Sequence, residues 1–288
     1  MSGIITPMVT PFRQNGEIDY DATEKLLDYL KGIGIYGVFP NGSTGLFPFL
    51  SSEERMKFLE FVVEHSRGMK VLAGIGSSST QESVKLGRHA KEAGADALVL
   101  MPTYYITAGQ DEIMKHFREV IGTVRKEIFI YNIPQLCGAR IEPETVKKLK
   151  DEFPEVIGLK ESSADMRYFS DIMQFSGPDF SIFQGQDDLL IPSLSIGADG
   201  GVCGLTNFGK PVVTAYREFT SGKIDAARKT QMQKIDPVIR SLLTSRFPSA
   251  YYYAFYRKFN INGGYRSPMV EPSEKAKNAV NGALDTLE

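Results

Sequence analysis

The chain has 288 residues, of which 42% are hydrophobic and 24% are charged, as in an ordinary soluble globular protein. Its 33 basic and 35 acidic side chains leave a formal charge of −2, and no basic run is suited to nucleic acid or to an anionic membrane. The apolar runs are strand-sized, far below the roughly 20 residues of a membrane span, and the first residues lack the features of a secretory signal.

The cysteine and histidine content argues against a disulfide framework and against a metal centre. Cys137 and Cys203 are the two cysteines, which fits a reducing cytoplasm. His65, His89 and His116 fall in three separate helix-like segments without the clustering of ligands, so we expect helix-face residues rather than a zinc site. The expectation is a cytoplasmic protein without a metal.

Short apolar runs typical of strands alternate with longer segments of helical periodicity. In chain order, the runs read GIITPMV, GVFPNG, KVLAGIG, ALVLMP, IFIYNIP, VIGLKES, SIFQG and GGVCG. Between them, the apolar spacing predicts helices over residues 21–31, 52–66, 80–93, 111–124 and 143–150. Acidic, serine-rich starts such as SSEE and glycine stops such as the one in KEAGAD mark the helix ends.

A strand followed by a helix, eight times over, predicts a parallel sheet closed into a (β/α)8 barrel. The alternative is a doubly wound open sheet, but eight regular units without a linker favour the barrel. We assign residues 1–221 to the barrel that carries the site and residues 222–288 to a helical extension packed on it, which contains the aromatic segment SAYYYAFYRKF.

Sites in such barrels lie at the carboxyl ends of the strands. The residues that close the apolar runs are therefore the first candidates. They are Thr6, 41–44, Ser77, Tyr104, Tyr105, Tyr131, Lys160, 185–188 and Gly204.

Lys160 closes the sixth run, directly after the apolar or small residues 156–159. If those residues line the barrel wall, the amine lies in a largely apolar mouth, where desolvation lowers its pKa and leaves a nucleophile able to form a Schiff base. Tyr131 ends the fifth run, one unit earlier, and a phenol there can relay protons between intermediates. The simpler alternatives are a solvated lysine at a strand end and a tyrosine that plugs the barrel by packing.

Polar residues follow the second and seventh runs. In PNGSTG, Ser43 and Thr44 offer hydroxyl and backbone N–H groups that suit a carboxylate or a phosphate, although a plain turn with a helix cap has the same pattern. In GQDDLL, Asp187 and Asp188 either accept hydrogen bonds from a polyol substrate or cap the next helix. The serines of GIGSSS, after the third run, indicate an anion-binding turn more weakly than PNGSTG does, and loop or cap residues are the simpler interpretation.

The motifs GSTG, YNIP and GLK at these separations resemble the N-acetylneuraminate lyase and dihydrodipicolinate synthase superfamily, over almost the whole chain. The resemblance implies a (β/α)8 barrel with C-terminal helices, usually assembled as a homotetramer. It also implies a class I aldolase that needs neither a metal nor an organic cofactor and holds pyruvate as a Schiff base on a lysine.

The resemblance implies a role for each matching position. Lys160 matches the Schiff-base lysine, Tyr131 matches the proton-shuttling tyrosine, and Ser43 and Thr44 match the site for the pyruvate carboxylate. Tyr105 matches a tyrosine that in some members completes a relay across a subunit contact, so it is predicted to be catalytic together with Lys160, Tyr131 and Thr44. The remaining matches are predicted to bind substrate, near the lysine or along the hydroxylated tail: Ser162, Gly185, Asp187, Asp188 and Gly204, the last where the lyase has a serine.

Departures from the family pattern bear on the substrate. Dihydrodipicolinate synthases carry an arginine in the loop after the tyrosine, whereas this chain has Leu136, which cannot form a bidentate ion pair. GSTGLFPFLS and the abrupt start IITPMVTPF resemble the archaeal 2-keto-3-deoxygluconate aldolases, while YNIPQLCG and GADGG also resemble the sialic acid lyases. The segment YYITAGQDE has no basic residue for a phosphate.

The expected reaction is therefore the reversible aldol cleavage of a non-phosphorylated 2-keto-3-deoxy sugar acid, which yields pyruvate and an aldehyde such as glyceraldehyde. N-Acetylneuraminate lyase is the nearest alternative. A dihydrodipicolinate synthase, a non-catalytic ligand-binding member and a metal-dependent aldolase are less favoured. The expected partner is a small 2-keto acid, with no role for nucleic acid or membrane.

Overall fold

Eight parallel strands close into a barrel in a computed structural model, which describes residues 1–287. The strands pair in sequence order, and the first also pairs with the last. They are β1 (Gly3–Pro7), β2 (Gly37–Phe39), β3 (Lys70–Gly74), β4 (Ala97–Leu100), β5 (Ile128–Asn132), β6 (Val156–Glu161), β7 (Ser181–Gln184) and β8 (Gly200–Val202). The (β/α)8 prediction is confirmed, and the open doubly wound sheet is wrong.

Helices follow the strands and surround the barrel. They are α1 (Tyr20–Ile33), α2 (Ser52–Glu64), α3 (Thr80–Glu92), α4 (Gln110–Val124), α5 (Pro134–Cys137), α6 (Pro143–Glu152), α7 (Met166–Met173), α8 (Leu190–Ser195) and α9 (Pro211–Thr220). The five helices predicted by periodicity all form, with ends within two residues of the expected ones. Ser51 and Glu54 form the capping box that starts α2, and Gly34 ends α1 at a φ of 81°, which favours glycine.

The C-terminal part of the chain is helical and lies against the carboxyl end of the barrel. It contains α10 (Ile224–Thr230), a π-helical turn (Gln231–Ile235), α11 (Asp236–Leu242), α12 (Ser249–Phe259) and α13 (Glu274–Leu284). The hydroxyls of Tyr252 and Tyr256 accept hydrogen bonds from the backbone amides of Thr10 and Phe12, at 3.1 Å each, and so attach α12 to the loop after β1. The division at residues 221 and 222 stays a prediction.

The interior of the barrel is filled with side chains, as is usual for this fold. Phe129 and Phe183 meet there edge to face, with ring centroids 5.8 Å apart. Gly158 makes room for them, because a Cβ at that position would lie 2.3 Å from the Phe129 ring. The filled interior forms a floor, so the space available to a ligand is at the mouth, above these rings.

Candidate active site

A cavity of about 280 Å³ opens at the carboxyl ends of the strands. Its base and sides come from strand ends and the loops that follow them, and its rim comes from the C-terminal helices and the segment between α11 and α12. The lining side chains and glycines include Thr44, Tyr131, Gln135, Leu136, Lys160, Ser162, Gly185, Gln186, Asp187, Asp188, Gly204, Ile239, Leu243, Phe247 and Tyr251. Most of the predicted site residues therefore meet in one place.

Lys160 lies on the inner face of β6, buried between aromatic rings. Its Nζ is 4.1 Å from the centroid of the Tyr131 ring and 4.9 Å from that of Phe39. Within residues 1–287 it forms no ion pair. Burial lowers the pKa of its amine from 10.5 to about 7, although Cys203 and Asp187 act in the opposite direction. At neutral pH a large fraction of the amine is therefore uncharged and nucleophilic.

Tyr131 stands beside Lys160 on the neighbouring strand. The two residues are direct partners in the register of β5 and β6. The Tyr131 hydroxyl is 3.4 Å from the hydroxyl of Ser43. Burial raises the pKa of the phenol above its usual value, and the nearby hydroxyls of Ser43 and Ser162 oppose that shift. The phenol therefore remains protonated, so that it can donate a proton or relay one between two other groups.

The loop after β2 is held in place from behind by a buried arginine. The Arg55 guanidinium donates to the carbonyl of Gly74 at 3.0 Å, and its carbon lies 4.9 Å from the centroid of the Phe47 ring. Asn41, which has a φ of 57°, donates from its side chain to the Arg55 carbonyl at 2.9 Å. These contacts fix residues 42–44, so that Thr44 faces the cavity and Ser43 lies between Tyr131 and an adjoining apolar pocket.

Asp187 connects the turns after β7 and β8. Its two carboxylate oxygens accept hydrogen bonds from the amides of Gly204 and Leu205, at 2.9 and 2.8 Å. Burial raises the pKa of this carboxyl to about 6, although the two amides oppose the shift. Both oxygens are thus already engaged, whereas the half-buried Asp188 lines the cavity beside it. Of the two aspartates, Asp188 is the better placed for a substrate hydroxyl.

Gly185 and Ser162 pack so closely that only glycine fits at the first position. A Cβ on Gly185 would lie 1.9 Å from the Ser162 hydroxyl oxygen. That hydroxyl is buried and has no hydrogen-bond partner among the described residues. Because buried polar groups are rarely left without a partner, the Ser162 hydroxyl is a candidate contact for a ligand.

Tyr105 lies outside the cavity. Its side chain is 96% exposed, its φ is 79°, and it lines a separate surface pocket together with Tyr104 and Leu136. Within a single chain it is not among the residues around Lys160, so its predicted relay requires a second subunit and stays a prediction. Thr6 is likewise not among the residues that line the cavity, and its hydroxyl is bonded to that of Thr206 at 2.8 Å.

Sequence reasoning missed the residues that the C-terminal helices contribute. Tyr251 lies against Gly204, where an added Cβ would be 2.6 Å from its ring. Burial, with Asp187 and Asp188 nearby, raises the pKa of its phenol. The aromatic segment is evident in the sequence, but periodicity alone does not tell which of its tyrosines faces the barrel mouth.

Comparison with known proteins places this geometry in a family. The model of the dihydrodipicolinate synthetase family matches residues 1–287. The chain belongs to the dihydrodipicolinate synthetase family. The predicted resemblance is therefore confirmed, as is the expectation of an enzyme of the aldolase-type lyase class.

Members of the family differ in their names and in their similarity to the chain. An uncharacterized DapA-like lyase of Thermoplasma acidophilum is 51% identical over 99% of this chain and 98% of its own length. A 2-dehydro-3-deoxy-D-gluconate/2-dehydro-3-deoxy-phosphogluconate aldolase of Picrophilus torridus is 47% identical over 91% of this chain and 97% of its own length. The solved structure of a 2-keto 3-deoxygluconate aldolase from Picrophilus torridus matches with a TM-score of 0.92 and 46% identity, over 94% of this chain and 98% of that one.

Two further observations concern residues 1–287. In this part of the chain, no group of three or more His, Cys, Asp or Glu side chains is arranged to hold a metal ion. None of its helices combines the length and the apolarity needed to cross a membrane.

Proposed function

We propose that the protein reversibly cleaves a 2-keto-3-deoxy sugar acid of the gluconate type to pyruvate and an aldehyde such as glyceraldehyde. The observation that carries the proposal is the buried amine of Lys160 in the mouth of the barrel, in contact with Tyr131 and with a pKa of about 7. The similarity to an aldolase with this named substrate supports the choice of sugar acid.

The reaction begins at the C2 ketone of the substrate. The neutral Lys160 amine attacks this carbon and gives a carbinolamine, which loses one water to form the iminium. The iminium nitrogen then serves as the electron sink for the next step, so that no separate cofactor is needed to stabilise the carbanion. Tyr131, beside the nitrogen, donates the proton that leaves with the hydroxide of the carbinolamine, and it takes a proton back from solvent before the next step.

Cleavage of the C3–C4 bond requires removal of the C4 hydroxyl proton. Because burial makes a free phenoxide costly at Tyr131, a concerted relay is favoured, in which its oxygen accepts that proton while its own proton passes to the substrate carboxylate. The electrons of the broken bond enter the iminium and form the enamine, and the aldehyde departs. Protonation at C3 and addition of water then release pyruvate and restore Lys160.

The two ends of the substrate have separate partners. Residues 42–44 suit the carboxylate, because Thr44 lines the cavity and a glycine-bracketed loop of this kind offers hydroxyl and backbone N–H groups together. The unpaired hydroxyl of Ser162, the carboxylate of Asp188 and the hydroxyl of Tyr251 lie on the other side and suit the polyol tail. Asp187 supports this half of the site by holding the turns after β7 and β8.

The lining of the cavity favours a non-phosphorylated sugar acid. Lys160 is its one basic side chain within residues 1–287, and Lys160 is committed to the ketone. Leu136 lies in the lining where a dihydrodipicolinate synthase is expected to carry an arginine. A second substrate with its own carboxylate, or a terminal phosphate, would therefore lack a cationic partner.

The test is a panel of substrates assayed for pyruvate release. It comprises 2-keto-3-deoxygluconate, its 6-phosphate and N-acetylneuraminate, together with a condensation assay of pyruvate and aspartate semialdehyde. We expect the first to be cleaved fastest. Much faster pyruvate release from N-acetylneuraminate would show that the protein is an N-acetylneuraminate lyase. Efficient condensation with the semialdehyde would show that it is a dihydrodipicolinate synthase.

The Schiff base is tested separately by borohydride reduction in the presence of pyruvate. One pyruvate adduct per chain is expected at Lys160, and none in Lys160→Ala. Lys150→Ala is the matched control, because Lys150 also lies over an aromatic ring, 5.8 Å from the centroid of Phe180, but outside the cavity. Trapping in Lys160→Ala, or its absence from the unaltered protein, would contradict the mechanism and would favour a ligand-binding member of the family.

The resemblance to the family also supports a proposal about the assembly of the protein. We expect a homotetramer in which Tyr105, exposed in the single chain, reaches the site of a neighbouring subunit. Sedimentation velocity gives the oligomeric state. A monomer with full activity would show that the relay through Tyr105 is not needed.

A further inference from the structure

A buried asparagine–glutamate pair joins β5 and β6 directly behind the residues of the candidate site. Asn132 and Glu161 are partners in the same register that pairs Tyr131 with Lys160. Because side chains alternate along a strand, Tyr131 and Lys160 face the interior while Asn132 and Glu161 face the surrounding helices. The Asn132 side-chain amide donates to a Glu161 carboxylate oxygen at 2.6 Å, and both side chains are buried.

The pair also holds the two loops that follow these strands. The second carboxylate oxygen of Glu161 accepts a hydrogen bond from the amide of Ser163. The side-chain oxygen of Asn132 accepts one from the amide of Ile141, at 3.0 Å. Each side-chain oxygen and nitrogen of the pair thus has a hydrogen-bond partner, as a buried carboxylate requires. One connected set of bonds fixes both strand ends and both loops.

Ser162 is the first residue after β6, and it connects the hydrogen bonds of Asn132 and Glu161 to the cavity. Its amide donates to the Asn132 carbonyl at 2.9 Å. Its carbonyl accepts hydrogen bonds from the side chains of Gln135 and Gln186, at 2.6 and 2.8 Å. Its hydroxyl has no partner among the described residues, and the residue itself lines the cavity. The position of that hydroxyl therefore depends on the bonds that Asn132 and Glu161 make.

We propose that Asn132 and Glu161 form a register lock that positions Lys160, Tyr131 and Ser162 for the reaction. Neither residue of the lock touches the substrate, so both are positioning residues, and the proposal rests on the proposed function for the reaction they support. Burial raises the pKa of the Glu161 carboxyl, and the hydrogen bonds from Ser163 and Asn132 oppose that shift. These bonds, rather than solvent, therefore stabilise the carboxylate.

The lock can be broken and rebuilt by two substitutions. In Glu161→Gln, the new NH2 group must face either the Ser163 amide or the Asn132 amide, so one hydrogen bond is lost. In Asn132→Asp, two carboxylates face each other. In the double variant, the new glutamine donates to the new aspartate and accepts from Ser163, while the other aspartate oxygen accepts from Ile141. All three bonds and the single negative charge are then restored.

The readouts are kcat for the sugar acid, expressed per Lys160 that borohydride can trap, the KM for the same substrate, and the melting temperature. Each single variant should lose about tenfold or more in kcat, because an unpaired or repelling group in the lock displaces the strand ends that carry Lys160 and Tyr131. The double variant should recover most of that loss. Tyr256→Phe is the control, since it removes buried bonds to the amide of Phe12 and the carbonyl of Gly264, and should lower the melting temperature without changing kcat.

The lock is refuted if the single variants melt earlier but keep the original kcat per trappable lysine, or if the double variant is no better than the poorer single one. Exchange of the pyruvate methyl protons with deuterium, followed by NMR, separates this outcome from failure of the proposed function. The exchange needs Lys160 and Tyr131 but no aldehyde. If no sugar acid is cleaved, but the exchange is slowed in the single variants and recovers in the double variant, the proposed substrate is wrong and the lock stands. If the unaltered protein shows no exchange, both the lock and the proposed function are overturned.

Discussion

Lys160 determines how Schiff-base formation depends on pH, because its neutral form is the nucleophile. With a pKa lowered from 10.5 to about 7 by burial, the neutral fraction grows as the pH rises through 7 and is nearly complete by pH 9. The initial rate of trapping of dilute pyruvate should therefore rise about tenfold per pH unit below 7 and level off above it. Cyanoborohydride reduction followed by mass spectrometry measures this rate. A rate that keeps rising toward pH 10 would show that the amine is solvated.

Tyr131→Phe separates proton transfer from Schiff-base formation. The phenylalanine keeps the ring beside the Lys160 amine but removes the hydroxyl that lies 3.4 Å from Ser43. We expect kcat for cleavage to fall about 10²–10⁴-fold, the usual contribution of a general acid–base. Trapping with pyruvate should persist, though more slowly, because the nucleophile remains. Equal loss of trapping and cleavage would instead mean that the hydroxyl acts mainly in forming the Schiff base and not in breaking the C3–C4 bond.

The position of Lys160 and Tyr131 at the site was predictable, whereas the function of their neighbours was not. Both residues close an apolar run, and the barrel rule brings such positions together. Glu161 follows Lys160 in the sequence and looks like an ordinary charge beyond the end of a strand. Its burial and its bond to Asn132 depend on the register between β5 and β6, which periodicity does not reveal.

At the scale of elements, α12 and the turn after β8 fit together through a single glycine. Gly204→Ala should lower the free energy of unfolding by about 1–3 kcal/mol, the usual cost of overpacking, since its Cβ would lie 2.6 Å from the Tyr251 ring. It should also raise KM for the sugar acid while leaving pyruvate trapping intact, because Tyr251 lies on the side of the tail. Denaturant unfolding and steady-state kinetics measure the two effects.

A double-mutant cycle identifies the cause of that loss. If the clash with the Tyr251 ring is responsible, Gly204→Ala should cost less in a Tyr251→Ala background than in the unaltered protein. Equal costs in both backgrounds would trace the effect to the turn itself, where the Gly204 amide is bonded to Asp187.

The elements themselves were largely predictable, and their docking was not. The strands and the five predicted helices follow from local periodicity, capping residues and glycine stops, which act within a few residues. By contrast, α12 is attached by the hydroxyls of Tyr252 and Tyr256 to backbone amides more than 240 positions earlier in the chain. Such a contact has no local signature, and this is why the sequence did not predict the rim of the cavity that Tyr251 completes.

At the scale of the whole molecule, the barrel holds its reactive amine at a cost in stability. The interior below Lys160 is filled and its sides are aromatic, so the ammonium form loses its hydration without gaining an ion pair among the described residues. Functional groups of this kind are typically destabilising, and their removal often strengthens the fold. Many other contacts of the barrel must offset this cost.

The sign and the size of that cost follow from linkage. The pKa of Lys160 is depressed in the folded chain, so between about pH 7 and 10.5 the folded state binds fewer protons than the unfolded state, and stability rises with pH. The penalty is complete below the folded pKa and disappears above the unfolded one. At about 1.4 kcal/mol per pKa unit, Lys160→Met should stabilise the protein about 2–3 kcal/mol more at pH 6 than at pH 9. Denaturant unfolding of both proteins at the two pH values measures the difference, and Lys275→Met, at an exposed position, is the control. A gain that is the same at both pH values would show that the benefit comes from packing alone, and that the amine is not desolvated in the folded chain.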